Sequence, residues 1–157
     1  MSVRLPATSA RDAPENLAIL LREPFRAMSA EVFERLAARG HAEVRAAHGN
    51  VFQYLDDEGT RVVELAQRAQ MTKQSMASLV EHLESHGYVE RITDPTDGRA
   101  KLVRATARGR AVFAIVRELV AEIDARLVTR LGAAKLQQLR TLLQELDEAL
   151  VRQTSSG

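Results

Sequence analysis

The chain contains no cysteine and no tryptophan. The lack of cysteine excludes disulfides, cysteine-bound zinc and thiol redox sensing, and it fits a cytoplasmic protein. Aromatic residues make up only 4% of the sequence. This scarcity argues against a protein that stacks single-stranded bases on several exposed rings.

Long hydrophobic runs are also missing. No run approaches the ~20 apolar residues of a membrane span, and the first residues lack the apolar core of a signal peptide. The sequence therefore predicts a cytoplasmic protein without a membrane partner, with residues 1–14 as a flexible N-terminal arm. The net charge over 157 residues is only +1, so any nucleic-acid surface must come from local clustering of basic side chains.

Apolar residues at three- and four-residue steps predict a first helix from Asn16. They are Leu17, Leu20, Leu21, Phe25, Met28, Val32 and Leu36. Pro24 should kink this helix or start it afresh, because proline has no N–H to donate. Gly40 closes the segment, and a second helix is expected from about His41 to Leu55.

Two short helices then follow in tandem. The first lies in "RVVELAQRAQ", and the second runs between Thr72, a residue suited to an N-cap, and Gly87, suited to a helix stop. Within the second helix, one apolar stripe is formed by Met76, Leu79, Val80 and Leu83. This arrangement predicts a helix-turn-helix.

The period changes to two around "TDPTDGRA", which predicts a two-stranded hairpin and hence a winged helix. From Thr106, a helix cap, two leucine-rich helices separated by Gly132 carry more apolar surface than so small a domain needs. The predicted fold is mainly α with a small β-hairpin wing. It comprises a winged helix-turn-helix at 41–105 and a helical dimerisation region built from 15–40 and 106–152.

The basic hairpin loop and the helix before it suit duplex DNA. A major groove admits one helix, and an arginine can enter a narrow minor groove. The residues expected to bind DNA are Thr72, Lys73, Gln74, Ser75, Ser78, His82, Arg91, Arg99 and Lys101. Asp94 and Asp97 are expected to brace the wing, with Asp97 pairing with Arg99 or accepting backbone amides. Taken alone, however, such a loop is more often a solvated turn.

The stretch "ELAQRAQMTKQSMASLVEHLESHGYVERITDPTDGRAKLVRATARG" resembles the core of the MarR family of bacterial transcriptional regulators. Its hallmark is the wing pattern Asp-Pro-x-Asp-x-Arg-x-Lys, which stands here as Asp94, Pro95, Asp97, Arg99 and Lys101. Two departures are Val63, where many members have a capping Ser or Thr, and Ala105, where many have Leu. Neither departure removes an expected DNA contact.

The resemblance implies an obligate homodimer that binds palindromic operator DNA and represses transcription until a small ligand releases it. In the family that ligand is commonly a phenolic or other aromatic acid, bound between the dimer helices and the winged helix. On the helices that line such pockets stand Phe25, Met28, His48 and Phe52. Each of these is also a plausible core residue.

Three other interpretations have less support in the sequence. An enzyme is disfavoured because the chain has no glycine-rich phosphate loop, nucleophile elbow or paired acids in a loop. A dimeric adaptor that has lost DNA binding conflicts with the intact Arg99 and Lys101. His82 and His86 have the spacing of metal ligands but lack the His-Glu-x-x-His motif, so neither a metal nor a cofactor is expected.

Overall fold

The computed structural model describes the backbone of residues 16–154 and the side chains of residues 16–150, so the predicted arm at 1–14 lies outside the described residues. This part of the chain contains six α-helices and one two-stranded antiparallel sheet. The elements are α1 (Leu17–Leu36), α2 (Gly49–Tyr54), α3 (Val62–Arg68), α4 (Lys73–Ser85), β1 (Val89–Asp94), β2 (Asp97–Ala105), α5 (Ala107–Leu131) and α6 (Ala133–Thr154). The predicted class, mainly helical with a hairpin wing, is confirmed.

α1 begins at Asn16, whose side chain accepts a hydrogen bond from the Ala18 amide at 2.9 Å. The helix then runs through Pro24 without interruption. Of the two expected outcomes, a fresh start at Pro24 is therefore wrong. Proline removes only one N–H from the helical ladder, and this half of α1 is exposed, so water can satisfy the carbonyl left without a donor.

The expected single helix from His41 to Leu55 is also wrong. A π-helical turn covers Ala37–His41, with Gly40 at φ +91°, and a 3-10 turn covers Ala46–His48 ahead of α2. Arg45 has extended backbone angles, and its amide donates to the His48 ring nitrogen Nδ1 at 2.9 Å. Because this side chain takes an amide that a continuous helix would use, the segment folds as separate turns.

The helix-turn-helix is built from α3 and α4. Thr72 caps α4 by accepting from the Ser75 amide at 3.1 Å, and Gly87 ends the helical segment at φ +75°, so both expected boundaries are confirmed. Met76, Val80 and Leu83 are fully buried, whereas Leu79 is partly buried. Together with Leu36, Val44, Val51, Leu65, Ala66, Tyr88, Val89, Val103 and Val112 they form the core.

The wing pairs β1 with β2, from Val89 opposite Ala105 to Thr93 opposite Lys101, and the register shifts after Thr93. Thr60, just ahead of α3, adds an isolated bridge to Val103 through two backbone hydrogen bonds of 2.8 and 2.9 Å. The wing is therefore joined to the helix-turn-helix in two places. β1 follows α4 in the chain, and β2 pairs with Thr60 just ahead of α3.

α5 starts against the end of the helix-turn-helix. The Thr106 hydroxyl donates to the Gly87 carbonyl at 2.6 Å and accepts from the Gly109 amide at 3.1 Å, which confirms Thr106 as the cap. Gly109 lies directly on the Tyr88 carbonyl oxygen, where an added Cβ would overlap that oxygen. Only glycine allows the first turn of α5 to approach so closely.

The chain forms two compact units, of which the first ends at Arg117 and the second begins at Glu118. In the second unit, Gly132 separates the helices at φ +90°, as predicted. Arg140 on α6 donates to Asp124 on α5 at 2.8 Å. Within residues 16–154, no helix is long and apolar enough to cross a membrane.

Candidate nucleic-acid interface

The amino-terminal half of α4 presents a polar outer surface. Lys73, Gln74 and Ser75 are exposed in its first turn, and Ser78 is exposed in the next. The Thr72 hydroxyl donates to the Ser75 hydroxyl at 2.8 Å, so these two side chains support each other. The helix dipole adds positive potential at this end. The first two turns therefore carry hydrogen-bonding groups on a rigid element.

Asp94 fixes the base of the wing loop. It is only 5% exposed. One carboxylate oxygen accepts the Thr96 hydroxyl and amide at 2.7 and 2.8 Å, and the other accepts Arg61 Nε and Nη2 at 2.9 and 2.5 Å. The Thr96 hydroxyl, the Thr96 amide and Arg61 lower the pKa of Asp94 to about 2. Asp94 is therefore ionised at neutral pH and holds the loop to α3.

Asp97 organises the loop tip. Its Oδ1 accepts the backbone amide of Arg99 at 3.1 Å, and its Oδ2 lies 3.5 Å from Arg61 Nη2. Of the two arrangements expected for Asp97, the structure has the backbone amide. The Arg99 guanidinium is left exposed, with no hydrogen bond or ion pair among residues 16–150.

The other basic side chains near the wing have partners within the protein. Arg91 Nη1 lies 2.8 Å from Glu84 Oε2, at the end of α4. Lys101 Nζ donates to the Thr93 hydroxyl at 2.9 Å. An exposed ion pair contributes only about 0–1 kcal/mol, so a phosphate could replace Glu84 at small cost.

His82 is placed differently from the other expected DNA contacts. It is half-buried, its Nε2 lies 2.9 Å from the Glu43 carbonyl oxygen, and its ring stacks on that of His48. These contacts engage His82 with the segment before α2. Sequence reasoning had no signal for them, because the partners belong to a distant stretch of chain.

A cavity of about 590 Å³ lies in the first compact unit. Of the four expected effector residues, Phe52 lines it, Phe25 and Met28 are exposed on α1, and His48 is buried against His82. The Phe52 ring meets Phe113 edge-on, with centroids 5.0 Å apart. The cavity is lined by Phe33, Val44, Gly49, Phe52, Gln53, Leu55, Asp57, Arg110, Val112, Phe113, Val116 and Arg117.

Sequence reasoning missed Arg61 and most of the cavity wall. Arg61 carried no motif, although its place just before α3 could have been recognised as the start of the helix-turn-helix. Arg110, Phe113 and Arg117 follow one another at helical spacing on α5, a pattern that also marks ordinary surface. Among residues 16–150, no three His, Cys, Asp or Glu side chains are grouped so that they could hold a metal ion.

A helix-turn-helix followed by a two-stranded wing, with helices on both sides in sequence, defines a winged-helix protein. The profile of the MarR family matches residues 43–100, which include α3, α4 and most of the wing. Over these residues the chain is similar to the MarR family. The MarR family consists of transcription factors, so this likeness gives the enzyme alternative no support.

Among similar proteins is the HTH-type transcriptional repressor Rv2887 of Mycobacterium tuberculosis, which is 34% identical over 88 residues, 56% of this chain. The match spans 63% of that repressor's length. The solved structure of transcriptional regulator Tm0710 from Thermotoga maritima is 26% identical, with a TM-score of 0.62 over 91% of this chain and 99% of its own.

A third similar protein is a MepR variant from S. aureus bound to an oligodeoxyribonucleotide. It is 20% identical, with a TM-score of 0.54 over 85% of this chain and 96% of its own. At this identity the likeness concerns the fold alone.

Proposed function

We propose that this protein is a homodimeric transcriptional repressor that binds palindromic duplex DNA. The observation that carries the proposal is the exposed polar start of α4 beside a wing whose tip presents the guanidinium of Arg99, which is unpaired among residues 16–150. The likeness to the repressor Rv2887 supports it, and the oligonucleotide-bound MepR variant shares the fold. The DNA-binding part is residues 41–105, and the dimerisation region is 15–40 with 106–152.

In this proposal α4 enters the major groove. Gln74 can make two hydrogen bonds to an adenine edge, while Ser75 and Ser78 can contact bases or backbone. Phosphates are held by Thr72, Lys73, Lys101 and Arg91, the last after exchanging Glu84 for a phosphate oxygen. Arg99 enters the minor groove, where a narrow groove concentrates negative potential. His82, with its ring against His48, supports α4 from inside rather than contacting DNA.

Dimerisation is supported by apolar side chains left exposed on the outer helices. In the first compact unit, α1 exposes Leu17, Leu20, Leu21, Phe25 and Met28. In the second, α6 exposes Leu139, Leu142, Leu143 and Leu150. So much exposed apolar surface is unusual for a monomer, and a second copy of this chain would cover it. A two-fold dimer presents two copies of α4, which matches a palindromic operator.

The cavity supports release by a small aromatic acid. Phenylalanine rings and aliphatic side chains form most of its wall, and Arg110 and Arg117 supply cationic donors for a carboxylate. Arg110 Nη1 already donates to the Ala105 carbonyl at 2.8 Å, at the end of β2. A ligand that drew Arg110 away would therefore act on the root of the wing. Of the residues that the sequence predicted for effector binding, the proposed site retains Phe52. Phe113 replaces Phe25 and Met28 in it.

The test is a fluorescence anisotropy titration with duplex DNA flanking the protein's own gene, in the presence of unspecific competitor DNA. Competitor-resistant binding that salicylate reverses would support the whole proposal. Binding that salicylate leaves unchanged would support the repressor and contradict this ligand class. If Arg99→Ala leaves binding to every duplex unchanged while light scattering reports an intact dimer, the adaptor interpretation replaces the repressor.

A further inference from the structure

Three histidine rings form a column that connects the segment before α2 to the recognition helix α4. His48 stacks on His82 with ring centroids 4.5 Å apart and planes 9° apart. His86, the C-cap of α4, has its ring centroid 4.5 Å from that of His82, with the planes 39° apart. His48 is only 5% exposed. A face-to-face histidine pair with one ring buried is an arrangement whose energy depends on charge.

Hydrogen bonds determine which ring nitrogens carry protons. The Arg45 amide donates to His48 Nδ1 at 2.9 Å, so that nitrogen must keep its lone pair. His82 Nε2 lies 2.9 Å from the Glu43 carbonyl, and His86 Nδ1 lies 2.8 Å from the His82 carbonyl. Carbonyl oxygens only accept, so both of these nitrogens donate. The arrangement requires His48 to be uncharged.

A second proton on His48 would oppose this arrangement in two ways. It would convert Nδ1 into a donor facing the Arg45 amide, and it would place a cation parallel to the His82 ring. Burial lowers the pKa of His48 to about 4, and the charges of His82, Arg45 and His86 act in the same direction. The environment of His48 thus disfavours its protonation.

The remaining charged and titratable groups around the column do not offset the cost of a second proton on His48. Glu43 is the acid that faces the column, but its carboxylate accepts the Tyr88 hydroxyl at 3.0 Å and lies 3.8 Å from Arg108 Nη2. His41, on the same segment, has its Nδ1 3.0 Å from the Tyr88 oxygen. The acid is therefore already engaged by a separate network.

We infer that His48 and His82 are positioning residues for DNA recognition, whose stack holds α4 on residues 43–48 at neutral pH and releases it in acid. The inference rests on the proposed DNA-binding function and adds a pH dependence to it. Its consequence is that affinity for the operator falls as the pH is lowered.

The size of the effect follows from proton linkage. When the stack opens, His48 regains an ordinary pKa near 6.5. In the closed state the stack is intact and the pKa of His48 is about 4. This state is favoured above pH 6.5 and becomes less favoured as the pH falls. The equilibrium between closed and open states shifts about tenfold toward the open state between pH 7.5 and 5.5.

The experiment compares the full-length protein with His48→Asn, because an asparagine oxygen can replace Nδ1 as acceptor but does not titrate. A duplex selected from a random pool at pH 7.5 serves as probe. We expect the wild-type Kd to rise up to about tenfold between pH 7.5 and 5.5. The matched control His41→Gln should keep this rise, and His48→Asn should lose it. Equal rises in wild type and His48→Asn would overturn the inference.

Two measurements on the wild-type chain need neither a variant nor DNA. In NMR titration the His48 ring should titrate well below the ordinary range, and titration at an ordinary pKa would overturn the inference. Amide exchange in the second half of α4, corrected for intrinsic rates, should reveal about tenfold more opening at pH 5.5 than at 7.5. If this opening occurs but no duplex is selected at pH 7.5, the pH-dependent opening of the His48–His82 stack is supported and the proposed DNA-binding function is contradicted.

Discussion

Arg61, the residue before α3, donates two hydrogen bonds to Asp94, the last residue of β1, at 2.9 and 2.5 Å across 33 positions of sequence. This contact joins the helix-turn-helix to the wing. Because Asp94 is buried, its loss leaves the Thr96 amide without its acceptor and Arg61 with only the longer contact to Asp97.

Asp94→Asn should therefore lower both stability and DNA affinity. The folded-state pKa of Asp94, about 2, lies below the ordinary value of 3.8, so its stabilising contribution is present above that value and is lost as the pH falls toward 2. Urea unfolding between pH 7 and 2 should show this loss in the wild type and a flatter profile in the variant. Asp97→Asn is the control, with a smaller effect because Asp97 is half-exposed.

Arg99→Ala should weaken operator binding by about 1–3 kcal/mol without changing thermal stability. Its guanidinium has no partner among residues 16–150, so its removal costs the free protein nothing. Anisotropy titrations at several salt concentrations would measure the affinity and its salt dependence. Arg104→Ala, which removes an arginine paired with Glu90 at 2.6 Å, is the matched wing control. Equal losses in the two variants would contradict a special role for the tip.

Gly109→Ala should destabilise the fold by about 3 kcal/mol or more, because the added Cβ would overlap the Tyr88 carbonyl oxygen. Thermal and urea unfolding would measure the change. Gly98→Ala is the control, since a Cβ there meets nothing within 4 Å. If Gly109→Ala were as stable as Gly98→Ala, the close approach of the first turn of α5 to the Tyr88 carbonyl would be contradicted.

Gln70→Gly should stabilise the protein by about 0.5–1 kcal/mol. Gln70 lies in the turn between α3 and α4 at φ +52°, a left-handed conformation that glycine adopts without strain. The gain is reduced by the greater freedom of glycine in the unfolded chain. Gln67→Gly, at an exposed helical position of α3, should instead destabilise by about 1 kcal/mol. Unfolding midpoints of the two variants should therefore move in opposite directions.

Those parts of the fold that depend on local sequence could be predicted. The cap at Thr72, the stop at Gly87 and the buried stripe of α4 involve residues close together in the chain. The second helix was mispredicted because its apolar spacing is helical, while a His48 side chain removes the Arg45 amide from the ladder. Periodicity alone does not reveal that competition.

The candidate site was less accessible to sequence reasoning, since its decisive contacts join distant segments. The stack of His48 on His82 and the contact of Arg61 with Asp94 have no local signature. The motif identified which residues belong to the wing. Only the structure shows that Arg91 is paired with Glu84, whereas Arg99 has no partner among the side chains that the structure describes.

The bridge between Thr60 and Val103 and the four hydrogen bonds to Asp94 make the wing a preorganised element. A hairpin that is already ordered loses little conformational entropy when it binds DNA. More of the energy of each contact therefore contributes to affinity. For this protein, that implies a wing whose amide exchange and backbone order parameters change little when duplex DNA is added.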